Sequence, residues 1–284
     1  MKRIVTIQDI SCVGRCSLTV ALPLLSAMGV ECGILPTAVL STHTMFQTFT
    51  CRDLSDQIEP IADAWEKEQI TFDGIYTGYL ANAGQCAQVG AFFERFRRED
   101  GLILVDPVMA DNGALYPAFD EKYPAAMAEL CAQADVIVPN LTEACLMTGM
   151  PYRTSYGPDY IRELLEKLLD LGCGTAVLTG VSYEADRLGV ASLDRSGAQF
   201  SYFTRRCPQS YHGTGDIYAS VVMGGLMQGL ETGRALALAA DFVVACIEAT
   251  AAAPDARWYG AEFESQIPLL CRMLDQRKTD QRKY

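Results

Sequence analysis

A glycine-rich turn with an aspartate behind it, in residues 210–227, has the residue types best suited to chemistry. Gly213, Thr214 and Gly215 form a small turn that leads into an apolar helical pattern, and Asp216 falls in the first turn of that helix. A helix N-terminus presents free N–H groups and the positive end of the helix dipole, so it attracts anions. Glycine lets the backbone approach a phosphate, and an aspartate beside it can act as a base. Phosphoryl transfer needs both features.

The same turn also permits a purely structural interpretation. Gly213 and Gly215 would then make a tight turn, and Asp216 would cap the helix, which is a common role for aspartate. Taken alone the segment leaves both interpretations open, so polar residues elsewhere in the chain have to favour one of them.

Polar side chains follow three predicted strands further along the chain. They are Asp106 and Asp111 in VDPVMADNGALY, Asn140 and Glu143 in VPNLTEA, and Thr179 in VLTG. Ligands of open parallel sheets bind outside the carboxyl ends of the strands. A carboxylate at Glu143 could hold a hydrated Mg²⁺, which keeps several waters and uses few protein ligands. The structural alternatives are a polar Asp-Pro loop, ordinary first-turn helix residues, and a threonine satisfied before a turn.

Short apolar runs alternate with segments of helical spacing over the first 180 residues. Strands are predicted near residues 1–10, 30–39, 72–80, 101–108, 134–140 and 174–180, and helices near 16–28, 53–68, 83–99, 117–133, 141–148 and 160–171. This alternation predicts an α/β fold, with a mostly parallel central sheet and helices on both faces.

The pattern changes after Gly180. RLGVASLD and AQFSYFTRR flank residues 195–198 and predict an antiparallel hairpin at the sheet edge. Long helices are predicted near 215–228, 232–253 and 261–274. Without an internal repeat or a linker in the sequence, we expect one domain over residues 1–284.

Composition narrows the possible partners. The net charge of −12 argues against a nucleic-acid partner. The basic residues near the end of the chain, 277–278 and 282–283, are predicted to be a solvated helix end. We see no signal peptide and no apolar run of membrane-spanning length, so no membrane partner is expected. The eleven cysteines form no CxxC pair, which is typical of reduced thiols in a cytoplasmic protein.

Some familiar motifs are missing from the sequence. It contains neither GxxxxGK[ST] nor a GxGxxG after the first strand, and no GxSxG elbow. A P-loop enzyme and a simple dinucleotide oxidoreductase are therefore disfavoured. Two histidines are too few for a histidine-rich metal site.

Five segments in this order resemble the ribokinase-like superfamily, and within it the pyridoxal and pyridoxamine kinases. They are GTGD with the helix of small residues after it, DPVMAD, PNLTEA, STHTMF at residues 41–46, and GYL at residues 78–80. The resemblance covers about residues 3–275. It implies a ribokinase-like fold, a homodimer, and transfer of a phosphoryl group from Mg-ATP to a hydroxymethyl group of a vitamin B6 vitamer in pyridoxal 5'-phosphate salvage.

The resemblance also implies roles for individual residues. Asp216 would take the proton of the acceptor hydroxyl, and the N–H groups of residues 213–215 would form an anion hole. Asp111 and Glu143 would organise Mg²⁺ through water, and Asn140 would contact phosphate. Asp106 and Thr179 would lie where the family places the nucleotide phosphates and a monovalent cation, K⁺ or Na⁺.

At the acceptor end, the resemblance places His43, Thr44 and Tyr79 near the pyridine ring. An alternative for His43 is a partly buried imidazole satisfied by the protein. A flap near residues 116–123 would cover the nucleotide.

One position departs from the family pattern. The first strand of these kinases usually ends in a serine that hydrogen-bonds the ring, whereas this chain has Asp9, with Ser11 two residues on. Hydroxymethylpyrimidine kinases of the same superfamily are similar here. A carboxylate accepts hydrogen bonds from an amine or a protonated ring, so Asp9 predicts a preference for pyridoxamine or an aminopyrimidine over pyridoxal.

Three other functions remain as alternatives. A hydroxymethylpyrimidine or sugar kinase is the enzymatic one, and STHT and GYL disfavour a sugar kinase. A catalytically silent ligand-binding relative is disfavoured by the intact GTGD. A thiol-based redox or metal sensor would rest on the cysteines alone, whose spacing does not support it.

Overall fold

A computed structural model describes residues 1–281 and 283, and in that part of the chain nine of eleven strands form one central sheet. The strands, in chain order, are β1 (Arg3–Ser11), β2 (Glu31–Leu40), β3 (Cys51–Asp53), β4 (Gly74–Thr77), β5 (Leu102–Val105), β6 (Ala110–Asp111), β7 (Ala114–Leu115), β8 (Val136–Ile137), β9 (Thr175–Val181), β10 (Arg187–Asp194) and β11 (Gln199–Arg205). Strands β6 and β7 pair only with each other.

The central sheet has the strand order β11-β10-β9-β8-β5-β4-β1-β2-β3. The six strands from β9 to β2 in this order run parallel. At one edge β10 and β11 form the predicted antiparallel hairpin, and at the other β3 pairs antiparallel with β2. The predicted mostly parallel sheet is therefore confirmed.

Helices cover both faces of the sheet. They are α1 (Leu18–Ala27), α2 (Ser55–Lys67), α3 (Ala83–Phe96), α4 (Tyr123–Cys131), α5 (Leu141–Thr148), α6 (Pro158–Leu171), α7 (Thr214–Met227), α8 (Thr232–Ala252) and α9 (Ile267–Gln281). Side chains of α2 to α6 pack into one hydrophobic core, and those of α1, α7, α8 and α9 pack into a second on the opposite face. Burial of these apolar faces is the main source of stability for such a fold.

The sheet reverses its winding between β1 and β4. The chain leaves β1 to form β2 on one side and then returns to place β4 on the other side. In open α/β sheets, ligands bind at such a switch point, outside the carboxyl ends of the strands. The topology therefore directs attention to the residues that follow β1 and β4.

Several predicted element bounds differ from the structure. Helix α4 begins at Tyr123 rather than near residue 117, because the intervening residues form hydrogen-bonded turns. Helix α9 begins at Ile267, after a short 3₁₀ helix at Glu264–Gln266, and runs to Gln281. Strands β3, β6 and β7 were not predicted, because two or three residues are too short to show an alternating pattern.

Helix α8 is long and apolar enough to cross a membrane by length and composition, with a mean hydropathy of 1.8, contrary to the expectation that no run reaches that length. Half of the most apolar 18-residue stretch of this helix is buried inside the fold. Its residues Leu236, Leu238 and Phe242 belong to the second hydrophobic core. These contacts are those of a core helix.

The basic end of the chain is partly engaged by the fold. Arg277 forms an ion pair with Asp241 at 2.6 Å, and Lys278 donates a hydrogen bond to Gln228. The prediction of a wholly solvated helix end is therefore wrong for these two residues, whereas Arg282 lies outside the described residues. All eleven cysteines are unpaired, as expected.

Candidate active site

The predicted site residues lie at the carboxyl ends of the parallel strands, around the switch point between β1 and β4. Asp9 and Ser11 end β1, and Tyr79 follows β4. Beyond them the parallel ladder continues past the strand ends, because Asp106 N–H donates to the carbonyl of Thr77 at 3.0 Å. Beyond the end of β8, Asn140 forms an isolated parallel bridge with Thr179 of β9.

Two glycines of the α7 turn have different structural needs. Gly213 is left-handed, with φ 82°, and a Cβ there would lie 1.9 Å from the carbonyl oxygen of Arg15. The fold itself therefore requires glycine at this position. A Cβ on Gly215 would meet no atom within 4 Å, and Gly215 has no positive φ. No contact within the described residues accounts for the glycine at 215, so the space beside it is free for a ligand.

Asp216 lies in the first turn of α7 and is partly buried. Burial, and after it the negative charge of Asp9, raise the pKa of its carboxyl group to about 7. The backbone N–H of Ser17 donates to this carboxylate and opposes the rise. A carboxyl group with a pKa near the working pH is suited to general base catalysis.

Two more carboxylates are buried further along the sheet edge. Asp106 is 7% exposed, and burial together with the charges of Glu143 and Asp216 raises its pKa well above the ordinary value. Its carboxylate accepts no hydrogen bond from the described residues. Glu143 is 3% exposed, and burial raises its pKa to about 8 although backbone N–H groups donate to it.

Glu143 is fixed by the start of α5. Its carboxylate accepts hydrogen bonds from the N–H of Met109 at 3.1 Å and of Asn140 at 2.8 Å. The side chain of Asn140 accepts in turn from the N–H groups of Thr142 and Glu143, which completes a capping box. The ordinary first-turn interpretation is thus true of the geometry, while the burial of the carboxylate goes beyond what capping needs.

Three further predicted site residues lie near Glu143: Asn140 contacts it directly, Thr179 pairs with Asn140, and the charge of Asp111 acts on it. Asp111 is exposed, and its charge adds to the rise of the Glu143 pKa. The amide nitrogen of Asn140 donates to the carbonyl of Ala110 at 2.8 Å. The Thr179 hydroxyl donates to the carbonyl of Pro139 at 3.3 Å. Protein partners therefore hold both Asn140 and Thr179 in place.

The donor set fits a divalent cation with oxygen ligands. Asp106 and Glu143 are buried carboxylates. Among residues 1–281 and 283, no positive charge of a Lys or Arg is among the main causes that shift their pKa values. Carboxylate oxygens suit Mg²⁺, and burial without a counter-charge is costly unless a cation joins them. Within these same residues no three His, Cys, Asp or Glu side chains form a metal cage. Mg²⁺ usually keeps water and phosphate ligands rather than such a cage.

The hairpin of β6 and β7 leads into the segment predicted to be a flap. Tyr116, which follows β7, has its pKa raised by burial and by the charges of Glu143, Asp111, Asp106 and Asp216. Its ring is 38% exposed. Tyr116 is therefore partly exposed and lies near the carboxylates.

The other end of the cleft is built around Asp9. This carboxylate is 4% exposed and accepts a hydrogen bond from the Ser11 hydroxyl at 2.9 Å. Burial raises its pKa, and hydrogen bonds from Ser17 and Ser11 oppose the rise. Burial and Asp9 raise the pKa of Tyr79 to about 12, so its phenol stays protonated.

His43 and Thr44 belong to the loop between β2 and β3. His43 is 3% exposed, and both of its ring nitrogens have backbone partners, the carbonyl of Tyr259 and the N–H of Met45. Thr44 is exposed. The structure thus brings His43 to the acceptor end as an imidazole satisfied by the protein, which was the alternative considered for it.

Ser17, Tyr116 and His212 contact the site but were given no role from the sequence. Ser17 has φ 49° and ψ −133°, an uncommon conformation for a residue with a side chain. The sequence pattern shows only a serine before a helix, which is typical of a simple N-cap. The sequence indicates Tyr116 only as the start of the flap, and His212, the residue before Gly213, belongs to no pattern that predicts a function.

The nine-stranded sheet, the glycine turn on α7 and the carboxylates at the switch point define a class, the α/β kinases that act on small molecules. The phosphomethylpyrimidine kinase family model matches residues 25–257. The chain belongs to this family.

Solved structures show the same fold at substantial identity. A Bacteroides thetaiotaomicron protein, provisionally assigned as a phosphomethylpyrimidine kinase, is 38% identical, covers 95% of this chain with 93% of its own, and has a TM-score of 0.91. An orthorhombic crystal form of a protein from that organism, with the same assignment, was solved with pyridoxal. Pyridoxal kinase from Lactobacillus plantarum is 35% identical, covers 97% of this chain with 99% of its own, and has a TM-score of 0.89.

A relative with a different acceptor is also similar. Hydroxymethylpyrimidine/phosphomethylpyrimidine kinase of Bacillus subtilis is 26% identical over 220 residues, which is 75% of this chain and 77% of the relative. The resemblance to ribokinase-like kinases drawn from the sequence is confirmed by these matches.

Proposed function

We propose that this chain transfers the γ-phosphoryl group of Mg-ATP to the 5'-hydroxymethyl group of a vitamin B6 vitamer, in salvage of pyridoxal 5'-phosphate. The observation that carries the proposal is Asp216 in the first turn of α7, whose pKa of about 7 suits a base and whose charge interacts with those of Asp9 and Asp106. The likeness to pyridoxal kinases at 35% identity supports the choice of acceptor.

The reaction assigns a step to each end of the cleft. The acceptor hydroxyl gives its proton to the Asp216 carboxylate while its oxygen bonds to the γ-phosphorus. The bond from that phosphorus to the bridging oxygen breaks, and ADP leaves with the electron pair. The N–H groups of residues 213–215 stabilise the charge on the transferring group.

The kinase family implies a divalent cation, and Asp111 and Glu143, with Asp106 beside them, would hold it. When bound, Mg²⁺ neutralises phosphate charge. Asn140 and Thr179 are held in place near Glu143 by their hydrogen bonds to the carbonyls of Ala110 and Pro139. We propose in addition a K⁺ or Na⁺ site near Asp106 and Thr179, supported by the unpartnered Asp106 carboxylate, and a phosphate contact from Asn140.

The test is an ADP-release assay with pyridoxal, pyridoxamine, pyridoxine and hydroxymethylpyrimidine in parallel, at equal concentrations. The proposal predicts the highest kcat/KM with a B6 vitamer. Turnover with hydroxymethylpyrimidine alone would support the thiamine-pathway alternative, and tight binding without ADP release from any acceptor would support the silent relative.

A phosphomethylpyrimidine-type acceptor remains the second candidate because of Asp9. This buried carboxylate would accept a hydrogen bond from an amine, which pyridoxamine and aminopyrimidines carry and pyridoxal lacks. Asp9→Ser should therefore lower the ratio of kcat/KM for pyridoxamine over pyridoxal. Unchanged ratios would remove Asp9 from acceptor selection.

We further propose a homodimer, supported by the family resemblance. We also propose a cytoplasmic location, which the free cysteines support. Light scattering on the purified chain tests the first. A mass of about 31 kDa, that of one chain, would contradict it.

A further inference from the structure

We propose that His43 is a positioning residue that fastens the loop between β2 and β3 to the segment between α8 and α9, and so holds the acceptor end against the α7 turn. The inference rests on the proposed function for its kinetic consequences. Its structural content stands on the contacts of the imidazole ring.

The hydrogen bonds of His43 fix its tautomer. A backbone carbonyl only accepts, so Nε2 donates its proton to the Tyr259 oxygen at 2.8 Å. A backbone N–H only donates, so Nδ1 accepts from Met45 at 3.2 Å. The ring is therefore neutral and fully used. The Nδ1 bond lies within the loop, and only the Nε2 bond crosses to another segment.

The His43 ring also packs against His212, which is itself hydrogen-bonded to the segment after α8. The His43 ring lies 4.5 Å from the His212 ring, measured between centroids, and His212 immediately precedes Gly213. The N–H of Ala261 donates to the His212 carbonyl at 3.1 Å, two residues beyond Tyr259. The imidazole thus connects the loop, the segment after α8 and the turn that leads into α7.

The loop after β1 completes the seat of the ring. A Cβ on Gly14 would lie 2.6 Å from Cδ2 of His43, so glycine leaves room for the imidazole edge. The ring also lies near Asp9 at the end of β1, since a positive charge on His43 would lower the pKa of the Asp9 carboxyl group. His43 therefore borders the acceptor end, yet neither ring nitrogen is free to bind an acceptor.

Two matched variants separate the two hydrogen bonds. His43→Gln retains an amide N–H near the position of Nε2, and His43→Asn retains an acceptor oxygen near the position of Nδ1. Loss of one net hydrogen bond corresponds to about a five- to tenfold change in an equilibrium or rate. We expect kcat/KM for the acceptor to fall about five- to tenfold in His43→Asn and less than about threefold in His43→Gln. Equal losses, or a greater loss in His43→Gln, would overturn the inference.

Hydrogen exchange gives a readout that does not depend on activity. The Ala261 amide should exchange faster in His43→Asn than in the wild type and stay protected in His43→Gln. The Met45 amide should show the reverse order. A crossed pattern supports the fastening role even if the wild type phosphorylates none of the four acceptors, which would defeat only the proposed function.

A third variant covers the case in which His43→Asn does not fold. Gly14→Ala would press on the ring edge and should speed exchange at Ala261 in the same way. Wild-type exchange at Ala261 in a folded Gly14→Ala protein would contradict the inference.

Discussion

At the scale of single residues, the site depends on carboxyl groups that are buried or partly buried. Asp216, Glu143 and Asp106 all have raised pKa values, with burial as the first cause in each. Charge repulsion between neighbours is the second contribution for Asp216 and Asp106. This arrangement costs free energy in the empty protein and suits one that binds a metal and phosphates.

The pKa of Asp216 should respond to Asp9. The negative charge of Asp9 raises it, so Asp9→Asn should lower it. Because the base acts in its deprotonated form, the acidic limb of kcat/KM against pH should move to lower pH. The measurement is a pH–rate profile with saturating Mg-ATP, and Ser11→Ala, which keeps the Asp9 charge, is the control. A limb that stays in place would remove Asp9 from the electrostatics of the base.

At the scale of elements, the α7 turn combines a glycine that the fold needs with one that it does not. Gly213 meets the backbone of Arg15, whereas Gly215 faces open space. The sequence presents the two as equivalent members of one motif. Only the packing of the loop after β1 on the turn distinguishes them.

Alanine at these two positions should therefore have opposite effects. Gly213→Ala should destabilise the protein by more than about 2 kcal/mol, because its φ is positive and its Cβ would meet backbone. Gly215→Ala should leave the melting temperature unchanged or slightly higher, since alanine favours helices. It should lower kcat by about tenfold or more, because the added methyl group fills space meant for the phosphoryl group.

Thermal melting and steady-state kinetics on the same two preparations make this comparison. Full activity of a folded Gly215→Ala protein would contradict an anion hole at the turn.

Element prediction succeeded where periodic patterns are long. Helix α5 was predicted with its bounds, and the hairpin of β10 and β11 was placed at the sheet edge. Strands β3, β6 and β7 were missed because their few residues show no alternating pattern. The conformation of Ser17 was missed because a positive φ outside glycine leaves no pattern in the sequence. The contacts of His43 could not be predicted either, since they join segments more than 200 residues apart.

At the scale of the whole molecule, the site residues come from the carboxyl ends of strands in the central sheet, from the first turns of α5 and α7, and from the hairpin of β6 and β7. The switch point of the central sheet between β1 and β4 brings the acceptor end and the nucleotide end to one edge. We propose on this ground that residues 1–284 form a single domain. The two hydrophobic cores, one on each face of the sheet, hold that edge rigid.

The site should make the empty protein less stable as pH rises. A carboxyl group with a raised pKa binds more protons in the folded than in the unfolded chain between its two pKa values, so the free energy of unfolding falls across that range. For Asp216 the window runs from about 4 to about 7. Asp216→Asn should therefore be more stable than the wild type at pH 8, by roughly 1–3 kcal/mol, and no more stable at pH 4.

Urea unfolding at both pH values measures this difference. Equal stability of the wild type and Asp216→Asn at pH 8 would show that the pKa of the Asp216 carboxyl group is not raised in the folded protein.

Mg²⁺ should offset part of this cost. At pH 8 it should raise the melting temperature of the wild type, with a smaller rise at pH 5 where the carboxyl groups are protonated. Glu143→Gln should reduce the rise at pH 8. An equal rise in this variant would place Mg²⁺ elsewhere.

The central claim is that Asp216 is the base of a kinase acting on a B6 vitamer. The most direct measurement follows formation of the phosphorylated vitamer at pH 8 by the wild type and by Asp216→Asn, together with binding of the unphosphorylated vitamer to both. We predict that the variant binds the vitamer normally and that its kcat falls about 10²- to 10⁴-fold. Wild-type turnover by Asp216→Asn, or no phosphorylated vitamer from the wild type, would contradict the account.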